Sequence, residues 1–178
     1  MTARAALRAA TDAAHQRVDA YFSRLDLADP DDYARFLLAQ ASAFLPVEQA
    51  IHEAGASLVI TDWDSRRRST LLLGDLEALG LTPPAPCEPP AYDSEAAIWG
   101  GAYVLEGSRL GGALLKRDVP GKMPRTFLDA PSPKGSWRHF IADLERNLVS
   151  DVQRNLAGQK AVETFACFMP SGTTLEDE

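Results

Sequence analysis

Imidazoles are scarce in this chain. His15, His52 and His139 are its three histidines; no H-x-x-x-H pair occurs, and no histidine stands close to Cys87 or Cys167, so a zinc site has no ligand set to build on. His15 differs from the others in position. At 100° per residue it falls beside Val18 and Phe22, on the margin of the first apolar stripe, and Arg8, seven residues earlier, shares nearly the same face about 10 Å along the axis. A ligating imidazole and a cation on one face form a docking edge for a planar metal complex bearing carboxylates. The competing reading is a boundary histidine satisfied by Asp12 or Asp19, with Arg8 solvated. His52 reads as ordinary surface, and His139, beside Arg138 near a helix start, carries no further signal.

The second chemical signal is a run of glycines inside a helical pattern. Trp99 to Gly112 holds five of the twelve glycines, Gly100, Gly101, Gly107, Gly111 and Gly112, interleaved with Glu106, Ser108 and Arg109. Each glycine costs a helix interior about 1 kcal/mol relative to alanine, so the cluster requires a reason. Gly107 and Gly111 are four residues apart and share a face, with Gly112 beside them. A face without side chains admits something flat or bulky to the backbone. It also suits close helix–helix packing, and the residues alone leave both readings open.

The elements that must position these residues are helices. Leu7, Ala10, Ala14, Val18, Phe22 and Leu25 predict a first helix from Thr2 to about Leu25. Asp29-Pro30-Asp31-Asp32 predicts a second start, with a capping Asp, proline at the first position and acids at the positive end of the dipole. That helix is expected to kink or restart at Pro46 and to stop at Gly55. A further helix is expected over Ser65–Leu79, with Arg66-Arg67-Arg68 as its solvated start. Five prolines make Leu81–Pro90 a stiff surface connection, Ser94 caps the glycine-rich helix, and Gly121–Gly135 is irregular. Trp137 to Leu148 and Val162 to Met169 mark two late helices. The pattern is an all-α single-domain helical bundle of six to eight helices over residues 1–169, with a frayed tail over 170–178.

Of the 178 residues 46% are hydrophobic, enough for one compact core. A net charge of −7 argues against nucleic acid as a partner. No apolar run is long enough for a membrane span and no signal-peptide core is seen, so the expectation is a cytoplasmic protein without a membrane partner.

Leu7 to Asp19, containing Arg8 and His15, resembles the proximal helix of heme oxygenases. Tyr103 to Gly112 resembles the distal helix of their bacterial branch, particularly the enzymes that accompany bacteriophytochromes. Weaker likeness runs through Asp29–Phe36, Trp63–Gly80 and Ala161–Ala166. The resemblance implies an all-helical fold that sandwiches heme between the first helix and the glycine-rich one. It makes His15 the metal ligand, and puts Gly107, Ser108, Gly111 and Gly112 at the catalytic distal face. Arg8, and at the start of a late helix Arg138, become partners of the heme carboxylates. Ser108 stands where mammalian-type relatives carry an aspartate, which leaves the proton route open between water, Ser108, and Arg109 with Glu106.

The activity implied is oxidative opening of heme to biliverdin, with release of carbon monoxide and iron. Electrons would come from an external reductase or ferredoxin, since no dinucleotide fingerprint is present, and a bacteriophytochrome is an implied acceptor of the product. The alternatives are a non-catalytic heme carrier or sensor on the same fold, and a ligand-free helical interaction module.

Overall fold

The computed structural model describes residues 1–132 and 135–170; the tail expected beyond Met169 lies, apart from Pro170, outside them. Among the described residues there are eight helices and no strand: α1 (Ala3–Phe22), α2 (Pro30–Glu53), α3 (Ala56–Val59), α4 (Trp63–Arg66), α5 (Ser69–Ala78), α6 (Glu95–Leu115), α7 (Ser136–Asn147) and α8 (Asp151–Cys167). The capping residues act as their types require. Thr2 accepts from the Ala5 N–H, Asp29 from those of Asp31 and Asp32, and Ser94 from that of Ala97. Ser150 and Gln153 close a capping box on α8.

Three expectations need correcting. The restart at Pro46 does not occur, and α2 continues through it. Proline deprives the Ser42 carbonyl of its helical donor, but the Cys87 N–H replaces that donor at 2.8 Å. The proline-rich connection is thus docked on α2 where α2 lacks a bond, and Ser42 Oγ fastens it again by donating to the Ala85 carbonyl at 2.9 Å. The helix expected over Ser65–Leu79 is two helices, with Arg67 extended between them. The buried Glu48 carboxylate of α2 accepts from the backbone N–H groups of Arg68 (2.6 Å) and Ser69 (3.0 Å), capping α5 from outside its own sequence.

The arginine triplet is not a solvated start. Arg66 and Arg68 are buried. Arg66 pairs with Asp62 at 2.6 Å and Glu106 at 2.7 Å, and Arg109 donates to the Arg66 carbonyl at 2.6 Å and to Glu106 at 3.3 Å. Charges so far out of water persist only with partners of this quality.

α1 and α6 both pack along α8 and scarcely on each other. Small residues allow this. A Cβ on Gly158 would stand 3.0 Å from the Ala10 Cβ, and one on Gly100 would fall on the Ala157 carbonyl. The N-terminal halves of α1 and α6 are therefore held against the first half of α8, and a slot remains between their C-terminal halves.

Candidate functional site

The slot is a cavity of about 560 Å³, in the range of small-molecule sites. Its α6 wall carries Val104, Gly107, Ser108, Gly111, Gly112 and Leu115, one helical face at three- and four-residue steps; its α1 wall carries His15, Val18, Asp19 and Phe22. Phe165 of α8, Phe168 just beyond its end, Phe127 and Leu128 complete the lining. Those last two come from an irregular segment that α5 fixes in place. The buried Asp75 carboxylate accepts from the N–H groups of Thr126 and Phe127 and from the Thr126 hydroxyl, at 2.8–2.9 Å.

Five of the seven residues singled out by sequence therefore meet in one cavity: His15, Gly107, Ser108, Gly111 and Gly112. Among the described residues an alanine Cβ at Gly107 or Gly111 would meet no neighbour within 4 Å, whereas one at Gly112 would come to 3.2 Å from Leu128 Cδ2. His15 has a side chain 60% exposed, with Nδ1 3.4 Å from the Asp19 carboxylate and its ring edge-on to Phe165. Asp19 is thus the neighbour the bland reading required. It faces Nδ1 only, and an Nδ1–H aimed at a carboxylate leaves the Nε2 lone pair for a ligand. Asp12 is instead engaged with Gln16.

Arg8 and Arg138 are exposed and do not line the cavity. Arg8 and Arg4 lie close to Tyr103 of α6. Burial pushes the Tyr103 phenol above its ordinary range, and the two cations oppose that rise. Among the described residues the lining holds no lysine or arginine, but three carboxylates, Asp19, Asp26 and Asp118. Glu106 and Arg109 lie outside the lining, committed to the Arg66 network. Of the proton routes left open by sequence, only Ser108 has a side chain at the cavity.

Sequence reasoning missed Arg68. Its guanidinium lies over the rings of Phe44 and Phe127, 4.7 and 4.9 Å from their centroids. Nη2 donates to the Leu105 carbonyl and to Ser108 Oγ, both at 2.7 Å. Ser108 Oγ in turn donates to the Leu105 carbonyl at 2.7 Å. Burial, reinforced by the like charge of Arg109, lowers the Arg68 pKa to about 9. No periodicity marks such a residue; a run of three arginines between aspartates is the signature of a surface.

No family model matches the sequence. A heme oxygenase of Xanthomonas campestris pv. campestris (strain 8004) is 36% identical over 146 residues, spanning 79% of this chain and 88% of that protein. The chain belongs to the heme oxygenase family. The fold agrees. The NO- and CO-bound heme oxygenase of Neisseria meningitidis superposes with a TM-score of 0.77 at 27% identity, covering 94% of this chain and 88% of that one. The heme oxygenase of Leptospira interrogans gives 0.73 over 94% and 97% of the two chains; at 19% identity it speaks for the fold alone. Membership of the family thus rests on the sequence relative, and the all-α architecture agrees with both solved structures. Among the described residues no helix is long and apolar enough to cross a membrane.

Proposed function

We propose that this chain is a heme-degrading oxygenase that takes heme between α1 and α6, with His15 as the iron ligand and Gly107, Ser108, Gly111 and Gly112 over the opposite face. The observation that carries this reading is the open space before Gly107 and Gly111, in a cavity whose other helix wall presents an unspent imidazole nitrogen. The residues fit the group. The walls are mostly apolar, the α6 face is bare at Gly107 and Gly111 where a flat macrocycle would approach the backbone, and the acidic lining directs the heme carboxylates out of the cavity rather than into it. Arg8 and Arg138 then act on those carboxylates as exposed charges at the periphery.

Heme bound there is both the substrate and the group that activates dioxygen, and its opening yields biliverdin, carbon monoxide and iron. The protein's part is positional. The bare backbone at Gly107 and Gly111 sets how closely a small molecule can approach one edge of the macrocycle, and so which meso carbon is opened. Phe127, Phe165 and Phe168 keep bulk water from that edge. Ser108 Oγ holds a proton that it donates to the Leu105 carbonyl. Arg68 serves the same carbonyl, so the hydroxyl can turn toward the cavity without leaving a buried acceptor bare. Electrons come from a separate reductase or ferredoxin, and in the cytoplasm a bacteriophytochrome is the acceptor of the product.

Absorbance titration with hemin, followed by reductant in air, tests the reading. One heme per chain and a biliverdin band are expected, and His15→Ala should lose the nitrogen-ligated Soret position. An unchanged spectrum in that variant overturns the ligand assignment. Tight binding with no biliverdin makes the protein a carrier.

A further inference from the structure

A second cavity, about 580 Å³, lies against the first, and Phe165 and Phe168 line both. Its wall brings together the two cysteines of the chain, Cys87 from the proline-rich connection and Cys167 from the last turn of α8, both half-buried and neither in a disulfide. They meet because the connection is held to α2 through the Cys87 N–H, and because the Cys167 thiol donates to the Glu88 carbonyl, sulfur to oxygen 3.7 Å. Neither contact serves the glycine-lined slot.

We propose that Cys87 and Cys167 form a dithiol modification site that hydrogen peroxide oxidises to an intramolecular disulfide. The Cys87 thiolate attacks one peroxide oxygen. The O–O bond breaks, water leaves after protonation, and Cys87 becomes a sulfenic acid. The Cys167 sulfur then attacks the Cys87 sulfur, the S–O bond breaks, and a second water carries away the hydroxyl with the Cys167 proton. Two thiols are oxidised by two electrons and one peroxide is reduced to two waters.

The geometry assigns the roles. The Cys167 proton is held by the Glu88 carbonyl, which makes Cys167 the protonated member of the pair. The neighbouring Cys167 thiol lowers the Cys87 pKa from its ordinary value, while Cys87 and burial raise that of Cys167. Cys87 is thus the attacking sulfur and Cys167 the resolving one, the arrangement of a peroxide-sensitive pair. Arg17 lines the same cavity and favours a thiolate there, while Glu88 and Glu163 oppose it. The bridge would join the end of α8 to the connection on α2. It would do so one residue from Phe168, which the heme-facing slot shares.

The test is mass spectrometry of the full-length protein after stoichiometric hydrogen peroxide. Expected are loss of the mass of two hydrogens, a peptide linking Cys87 to Cys167 within one chain, and reversal by dithiothreitol. In Cys167→Ser the sulfenic acid should persist on Cys87 and be trapped by dimedone. Three results overturn the proposal: two free thiols after peroxide, independent oxidation of each cysteine to a sulfinic acid, or a bridge formed only between chains. None of these readouts depends on heme, so they stand or fall apart from the proposed oxygenase activity.

Discussion

At the start of α6, Gly100 and Gly101 occupy positions where a methyl group has no room. A Cβ on Gly100 would fall on the Ala157 carbonyl oxygen, with the carbonyl carbon 3.0 Å away; one on Gly101 would stand 2.5 Å from Tyr92 and 2.7 Å from Ile51. Two turns on, a Cβ on Gly107 or Gly111 would find open space among the described residues. One helix thus spends the same residue on opposite ends. The first pair brings α6 against α8 and Tyr92, and the second pair holds a gap open beside α1. Their sequence context is similar, and only the tertiary surroundings separate close packing from vacancy.

The largest expected effect breaks the packed half. Gly100→Ala should cost about 3 kcal/mol or more, because the obstructing atoms are backbone and cannot rotate away. Chemical denaturation would show it as a fall in midpoint, and an unchanged midpoint would mean that α6 and α8 can part without penalty. The open half should behave in the reverse sense. Gly111→Ala should leave stability unchanged or raise it by up to about 1 kcal/mol, through helix propensity alone. It should still bind ferric heme, yet give slow biliverdin production or a different meso isomer. Melting temperature and product analysis together decide this, since lost stability with normal specific activity would move Gly111 into the packed class.

The smallest effect lies in α1, the wall across the slot from the second pair. Glu145 of α7 accepts from the N–H groups of Ala3 (2.7 Å) and Arg4 (2.9 Å), fixing the first turn of α1. Partial burial pushes its carboxyl upward, but the hydrogen bonds from Arg4, Ala3 and Thr2 win and hold its pKa below the ordinary value of 4.5. A depressed folded pKa contributes stability that is complete above the unfolded value and lost as pH falls through the folded one. Glu145→Gln should therefore cost about 0.5 kcal/mol at neutral pH. It should also flatten the acid limb of the stability profile, which denaturation midpoints across that limb would measure.

Much of this was legible in the sequence because it is encoded locally. Thr2, Asp29 and Ser94 cap the helices their spacing predicts, and His15 and the Gly107–Gly112 run fall on the two walls of one cavity. What could not be read depends on partners distant along the chain. Glu48 caps α5 from twenty residues away, and Arg66 finds Glu106 forty residues on. Without those carboxylates in view, three consecutive arginines have the composition of a wet surface. Pro46 shows the same limit in reverse. Its helix-breaking tendency is real, but the donor that offsets it belongs to Cys87, in a segment that reads as a mere connection.

The spacer role of α8 bears on how such a site changes over generations. The gap between α1 and α6 is set where Ala10 meets Gly158 and Gly100 meets Ala157, none of which lines the cavity. A lineage could therefore widen or narrow the slot by adding or removing single methyl groups at that remote crossing, while every residue that touches the contents stays the same. Variation in product isomer between related proteins with identical linings would be the trace of such retuning. The place to look for its cause is the seam between α8 and its two neighbours.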